Sequence, residues 1–139
     1  MKKILLVGFM LRVSLSLSAQ QMLRVEVVNI KNNSGSIRVG LFDNEKDFLK
    51  KAVLGESVSA ESGKVVIVFE EIPVGEYGIS VIHDENNNEE LDLNFLGIPK
   101  EGFGFGNDAK GTFGPPSFDK AKVKIGEGVA EQVITLRYF

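Results

Sequence analysis

The 139-residue chain contains no cysteine, and that absence excludes three things at once. There is no thiol nucleophile, no disulfide to hold a fold in an oxidising compartment, and no lipid-attachment residue of the kind bacterial lipoproteins use. Histidine is nearly absent too, with His83 the single one. A hydrolase needs a nucleophile, a base and an orienting group in one cleft, so candidate triads almost vanish, and no Gly-x-Ser-x-Gly elbow is present. A zinc site built from one imidazole and carboxylates would be atypical. No apolar run approaches the ~20 residues needed to span a bilayer. Cations are the minority charge, 16 Lys and Arg against 19 Asp and Glu. That balance disfavours nucleic acid, whose binding relies on clustered cations neutralising phosphates, and anionic membrane surfaces for the same reason.

What is present begins with Met1, Lys2 and Lys3, followed by an apolar run from Ile4 to Leu11 and a small, mildly apolar stretch from Val13 to Ala19. This order reads as a secretory signal over residues 1–19, with a mature chain starting near Gln20 and located in the periplasm or outside the cell. An N-terminal strand or helix that stays attached is the alternative. Removing the signal takes away Lys2, Lys3 and Arg12, leaving 13 cationic residues against 19 acidic ones and a net charge of −6. About 120 residues remain, enough for one modest core. No repeat, linker or low-complexity block divides them, so residues 20–139 are expected to form one domain.

Period-two alternation dominates that domain. Leu23, Val25 and Val27 alternate with Arg24 and Glu26, and after Asn32 to Gly35 the pattern resumes as Ile37, Val39 and Leu41, which predicts a β-hairpin. Asp43 to Lys51 has acids early and lysines late, as one or two helical turns would. The β-branched run from Lys64 to Glu70 predicts a central, well-buried strand that pairs, through the Pro73–Gly75 turn, with a strand around Tyr77, Ile79 and Val81. Two more strands are expected around Ala121 to Ile125 and Val129 to Tyr138. The fold class is therefore all-β: an antiparallel two-sheet sandwich of about seven strands, immunoglobulin-like or transthyretin-like, with a small barrel as the alternative.

Beyond Val81 the composition changes. Five carboxylates fall within the nine residues from Asp84 to Asp92, with no cation among them. Such crowding is repulsive unless water, salt or a bound cation screens it. Asp84, Asn86, Asn88 and Asp92 occupy positions 1, 3, 5 and 9 of a calcium loop, and the Glu90 carbonyl takes position 7. Position 6, normally glycine, is Glu89, and position 12, normally a bidentate glutamate, is Phe95. An EF-hand is thus excluded, and the expected metal is calcium in a looser loop, with Asp119 or Glu101 supplying a further oxygen. Equally open is a solvated connection whose asparagines tolerate left-handed backbone. His83 should share the face of Val81 and act as a packed, hydrogen-bonded strand-end residue that orients this loop.

From Phe95 to Phe118 follow five phenylalanines, six glycines and three prolines, with no helical or strand period. A connection this long is functional or disordered as a rule, and wet phenylalanines argue against disorder. One reading is a self-packed loop covering an open end of the sandwich. The other is a recognition surface in which Phe103, Phe105 or Phe113 presents a ring face to a sugar or peptide.

The stretch from Gly75 to Ile125 carries a Gly-x-Tyr strand (Gly75, Tyr77), His83 to Asn88, Leu91-Asp92, Gly97 to Gly102, Gly104 to Asn107 and Pro115 to Phe118. It resembles the bacterial family of exported proteins called domain-of-unknown-function family 2141, and the resemblance reaches back through Gly35 to Phe42. Members carry glycine within or just after the asparagine run, where this chain has Asn87 and Glu89, a departure that weakens the tight-turn case for a metal. Membership implies an exported β-sandwich and brings no known activity, substrate or catalytic residue. The functional expectation is a non-catalytic extracytoplasmic binding or accessory module whose partner is a glycan, a peptide or an envelope protein. The alternatives are a purely structural envelope domain without metal and a carboxylate-dependent hydrolase built on a pair such as Asp84 and Asp92.

Overall fold

A computed structural model describes residues 21–139. The expected signal over residues 1–19 lies outside the described residues. The described residues form eight strands: β1 (Met22–Ile30), β2 (Ser36–Phe42), β3 (Leu54–Ser59), β4 (Gly63–Phe69), β5 (Gly75–Asp84), β6 (Phe103–Phe105), β7 (Lys122–Ile125) and β8 (Val129–Thr135). A short 3-10 turn at Gly106–Asp108 and one helical turn, α1 (Phe118–Ala121), complete the order. The strands make two sheets. One has the order β4-β1-β8; the other runs β3-β2-β5, with β6 and β7 sharing the far edge of β5. The expected all-β two-sheet sandwich is what forms.

The core lies between the sheets and follows the period-two pattern. Leu23, Val25 and Val27 of β1 face Ile37, Val39 and Leu41 of β2 and Ile79 and Val81 of β5, all buried. Each fully buried side chain of this kind contributes roughly 1.5–3 kcal/mol.

Several pairings depart from those predicted. The chain does not fold β1 and β2 into a hairpin; it crosses from one sheet to the other, with Asn29 at φ 64° and a register break between Val28 and Ile30 turning it. Likewise β4 pairs antiparallel with β1, and β5 pairs with β2, so the chain crosses between sheets again from β3 to β4 and, through the Pro73–Gly75 segment, from β4 to β5. Alternation fixes which face is buried but carries no information about which neighbour is bonded. The Lys64–Glu70 strand is an edge strand, with Val66 and Val68 on the outer face. Asp43–Lys51 forms successive turns and no helix. β8 runs parallel to β1, an exception in an otherwise antiparallel sandwich. β3 and β6 carry too few apolar residues in too short a run to be legible as strands.

Candidate functional site

Asp84 ends β5, and its carboxylate is fully buried. It is satisfied by backbone: Asn88 N–H donates to Oδ1 at 3.1 Å and Glu89 N–H to Oδ2 at 2.8 Å. This closes the chain into a loop in which Asn87 and Glu89 take left-handed backbone, φ 52° and 66°. The Asn86 and Asn88 side-chain amides both donate to the Asp92 carboxylate at 2.6 Å. Their Oδ1 atoms accept from backbone two residues on, Asn86 from Asn88 N–H and Asn88 from Glu90 N–H. The Asn88 amide, foremost, stabilises the charged form of Asp92 and holds its carboxyl below the usual range. Asp84, Asn86, Asn88 and Asp92 are thus joined by hydrogen bonds within one loop, and Glu90, with its carbonyl expected at the seventh position, joins it through its N–H to Asn88.

Beneath the loop is Glu101, only 3% exposed. Its two oxygens accept from Glu85 N–H at 2.6 Å and Asp92 N–H at 3.0 Å, tying both shoulders of the loop to one carboxylate. Burial pushes this carboxyl above its ordinary value, and the nearby Asp92 and Asp84 charges add to that. Asp119, the other residue expected to contribute an oxygen here, is elsewhere. It pairs with Lys122 at 3.0 Å, and Lys122 is paired with Gly78 near the opposite end of β5. Among the described residues no three Asp, Glu or His side chains form a metal-binding group. His83 is buried on the core face beside the loop. Its Nε2 donates to the Ser34 carbonyl at 2.7 Å, which leaves Nδ1 to accept from the Tyr138 hydroxyl at 2.7 Å.

The glycine and phenylalanine segment does not cover an end of the sandwich. It lies over the outer face of the five-stranded sheet, because Phe103–Phe105 joins that sheet as β6 with Phe105 opposite Ser80 and Phe103 opposite Ile82. The three phenylalanines singled out from the sequence have different fates. Phe105 is buried, Phe103 is half-buried against Phe105 and Phe139, and Phe113 is fully exposed.

The segment and the outer sheet face enclose a cleft of ≈ 990 Å³. Its floor is Ser80, Ile82, Phe103 and Phe105, and its walls come from Leu93 to Pro99 on one side and Lys110 to Pro115 on another. Phe42, Phe48 and Phe118 meet edge to face, the last two directly over Gly78, at one end. Leu49 and Lys50 stand beside this cluster, and Leu49 holds φ 63°, which no sequence signal announced and which is uncommon for a bulky residue. At the other end stand Glu89 and Glu90. Phe95, Phe113 and Phe139 are 95, 102 and 82% exposed. The last two line the cleft, as do exposed Leu93, Leu96 and Ile98. A shallower groove of ≈ 370 Å³ continues from it across Ser80 and Ile82 to the side-chain-free row of Gly40 and Gly55.

Among family models, residues 25–133 match the family described as "Uncharacterized protein conserved in bacteria (DUF2141)". The chain belongs to this family. The span matched to DUF2141 includes the Asp84–Asp92 loop, Glu101 and the cleft wall through Pro115, whereas Arg137 and Phe139 lie beyond it. No match was found among curated proteins or among solved structures.

Proposed function

We propose that the protein is an exported, non-catalytic binding module whose ligand lies in the cleft on the outer face of the five-stranded sheet. The observation that carries this reading is the gathering of large exposed apolar side chains around one concavity. Isolated exposed apolar residues are ordinary, but a contiguous patch rimmed by polar groups marks an interaction site, and the cleft volume is that of a ligand pocket. The left-handed Leu49 and Glu89 at its two ends add support, since strained backbone concentrates at ligand clamps. The non-catalytic part rests on His83, the single imidazole, having both ring nitrogens engaged inside the core.

Uptake of the anionic dye anilinonaphthalene sulfonate by the native protein is the test. The double change Phe113→Ser and Leu96→Ser removes two exposed walls, so it is expected to weaken dye binding at least five-fold while moving Tm by no more than about 2 °C. A native protein that leaves the dye dark, or a double variant that binds it unchanged, overturns the assignment.

A second reading, favoured by the backbone at Glu89, adds calcium to the Asp84–Asp92 loop. Glu89, at the position where a calcium loop makes its sharp turn, takes left-handed backbone. Calcium binding only the folded state raises Tm by mass action. The expected result is a rise of several degrees at millimolar calcium that chelator reverses and that Asp92→Asn diminishes. An unmoved Tm at that concentration removes calcium from the account.

A further inference from the structure

The two edges of the three-stranded sheet are treated differently. β8 is covered by the 3-10 turn: Thr135 N–H donates to the Asp108 carboxylate at 2.8 Å, and the Gln132 side chain accepts from Asn107 N–H at 2.8 Å. β4 is bare. It bonds to β1 along one side, and among the described residues it has no strand or bridge partner along the other. An open apolar edge templates another strand, so natural sheets blunt it with charge, proline or a cover. The edge of the other sheet on that side, β3, is blunted by exposed Glu56, Ser57 and Ser59. Between Lys64 and Glu70, however, β4 reads Val-Val-Ile-Val-Phe, with no proline and no charge, and Val66 and Val68 are exposed on its outer face.

Lys64 and Glu70 are equidistant from Ile67. A second copy laid antiparallel about a two-fold axis through Ile67 would therefore set Lys64 of each chain opposite Glu70 of the other. Val66 would face Val68 of the second copy on the outer surface, and Val65 would face its Phe69 on the core side. Opposite charges and β-branched pairs across strands are both stabilising. A shift of two residues puts Lys64 opposite Val68 or Ile72 and loses both ion pairs, and a shift of one turns the second copy's core face outward. Lys64 already reaches Glu26 at 3.2 Å, but its ammonium has three donors; Glu70 is exposed and in no ion pair among the described residues. From this mirrored charge on an uncovered edge, we propose that two copies of the chain dimerise through β4, forming one six-stranded sheet in the order β8-β1-β4-β4-β1-β8. Backbone bonds alone would accept any extended strand, whereas the mirrored charges select a copy of the same one. Growth stops at two, because both β4 edges are consumed and the outer edges are the covered β8 strands. The cleft lies on the other sheet, so the dimer and the ligand reading stand or fall separately.

Sedimentation velocity on protein recovered after export from cells expressing the full chain reads the association directly. Wild type is expected to pass from monomer to dimer by about 200 μM, at the weak end of specific association. Lys64→Glu and Glu70→Lys each set like charges opposite one another at both ends of their homodimer, and each is expected to weaken it about ten-fold. An equimolar mixture of the two variants restores opposite charge at both ends, one chain supplying the acids and the other the bases. It should dimerise to within about three-fold of wild type. Both positions are exposed, and Tm verifies folding; if either variant fails to fold, Val66→Lys on the same outer face should likewise dissociate the dimer. Wild type that stays monomeric at that concentration, or that grows beyond a dimer, overturns the proposal. So do variants that dimerise as wild type does, or a mixture that associates no more tightly than its components.

Discussion

Gly35→Ala is expected to lower the free energy of unfolding by about 3 kcal/mol or more, close to the limit a domain of this size tolerates. Gly35 sits at φ 68° in the crossing between β1 and β2, where an added Cβ would lie 1.9 Å from the Asp84 carbonyl oxygen and 2.7 Å from the Glu85 backbone. The left-handed conformation alone is unfavourable by roughly 1–2 kcal/mol for an L-residue. The contact is worse, because the obstructing atoms are backbone of the strand end that carries the acidic loop and cannot rotate away. Gly63 provides the control: its φ is 97°, yet nothing lies within 4 Å of an added Cβ. Urea unfolding of both alanine variants separates backbone strain from collision, with Gly35→Ala expected to lose at least about 2 kcal/mol more than Gly63→Ala. Equal losses would show that Asp84 yields, and the rigid junction between the β1–β2 crossing and the loop would have to be given up.

That junction marks the boundary of what the sequence made legible. The alternating runs around Val25, Val39 and Ile79 identified the buried faces, because alternation in a half-buried strand is a direct record of burial. They did not identify partners. Val27 reads the same whether its neighbour is Val39 or Val65, and the structure chooses Val65 with Ile134 on the other side. The β-branched run at Lys64–Glu70 suggested burial on both faces, yet Val66 and Val68 pack beside Glu26 and Arg24 on an outer face. β6 was hidden because Phe103-Gly104-Phe105 is glycine-rich and only three residues long; Gly104 is needed there, since a Cβ would meet Ile134 at 2.6 Å. In the acidic loop, Asp84, Asn86, Asn88 and Asp92 are joined by hydrogen bonds that run within one short segment, which is why local spacing could single them out. The cleft was legible only in part. Phe103, Phe105 and Phe113 were picked for their type, but Leu49, Lys50, Leu96 and Phe139 come from separate segments, and nothing local predicts that these converge.

Glu101→Ala is the other change with a large expected effect, about 3 kcal/mol, because it strands two donors at once. Glu85 N–H and Asp92 N–H both end on this carboxylate, and each buried donor left without an acceptor costs roughly 1–3 kcal/mol. Glu101→Gln keeps one acceptor oxygen and turns an amide N–H₂ toward the other donor, so it should fall between wild type and alanine. The titration has an unusual sign. Burial outweighs the two backbone bonds and raises this carboxyl in the folded protein, which therefore holds the proton more tightly than the unfolded chain does. Its contribution is fully present below the ordinary value of 4.5 and is lost as pH rises through the folded value, with a slope of at most about 1.4 kcal/mol per pH unit. Asp92 acts in the opposite sense in a separate window. Its carboxyl is lowered, so its contribution is present above 3.8 and is lost as pH falls through the folded value. Urea midpoints of wild type and Glu101→Gln measured upward from pH 4.5 should therefore converge as pH rises, since only wild type has this carboxyl to ionise. Parallel curves across that range would mean that Glu101 is already charged at pH 4.5, and the loop would rest on a solvated carboxylate instead of a buried one.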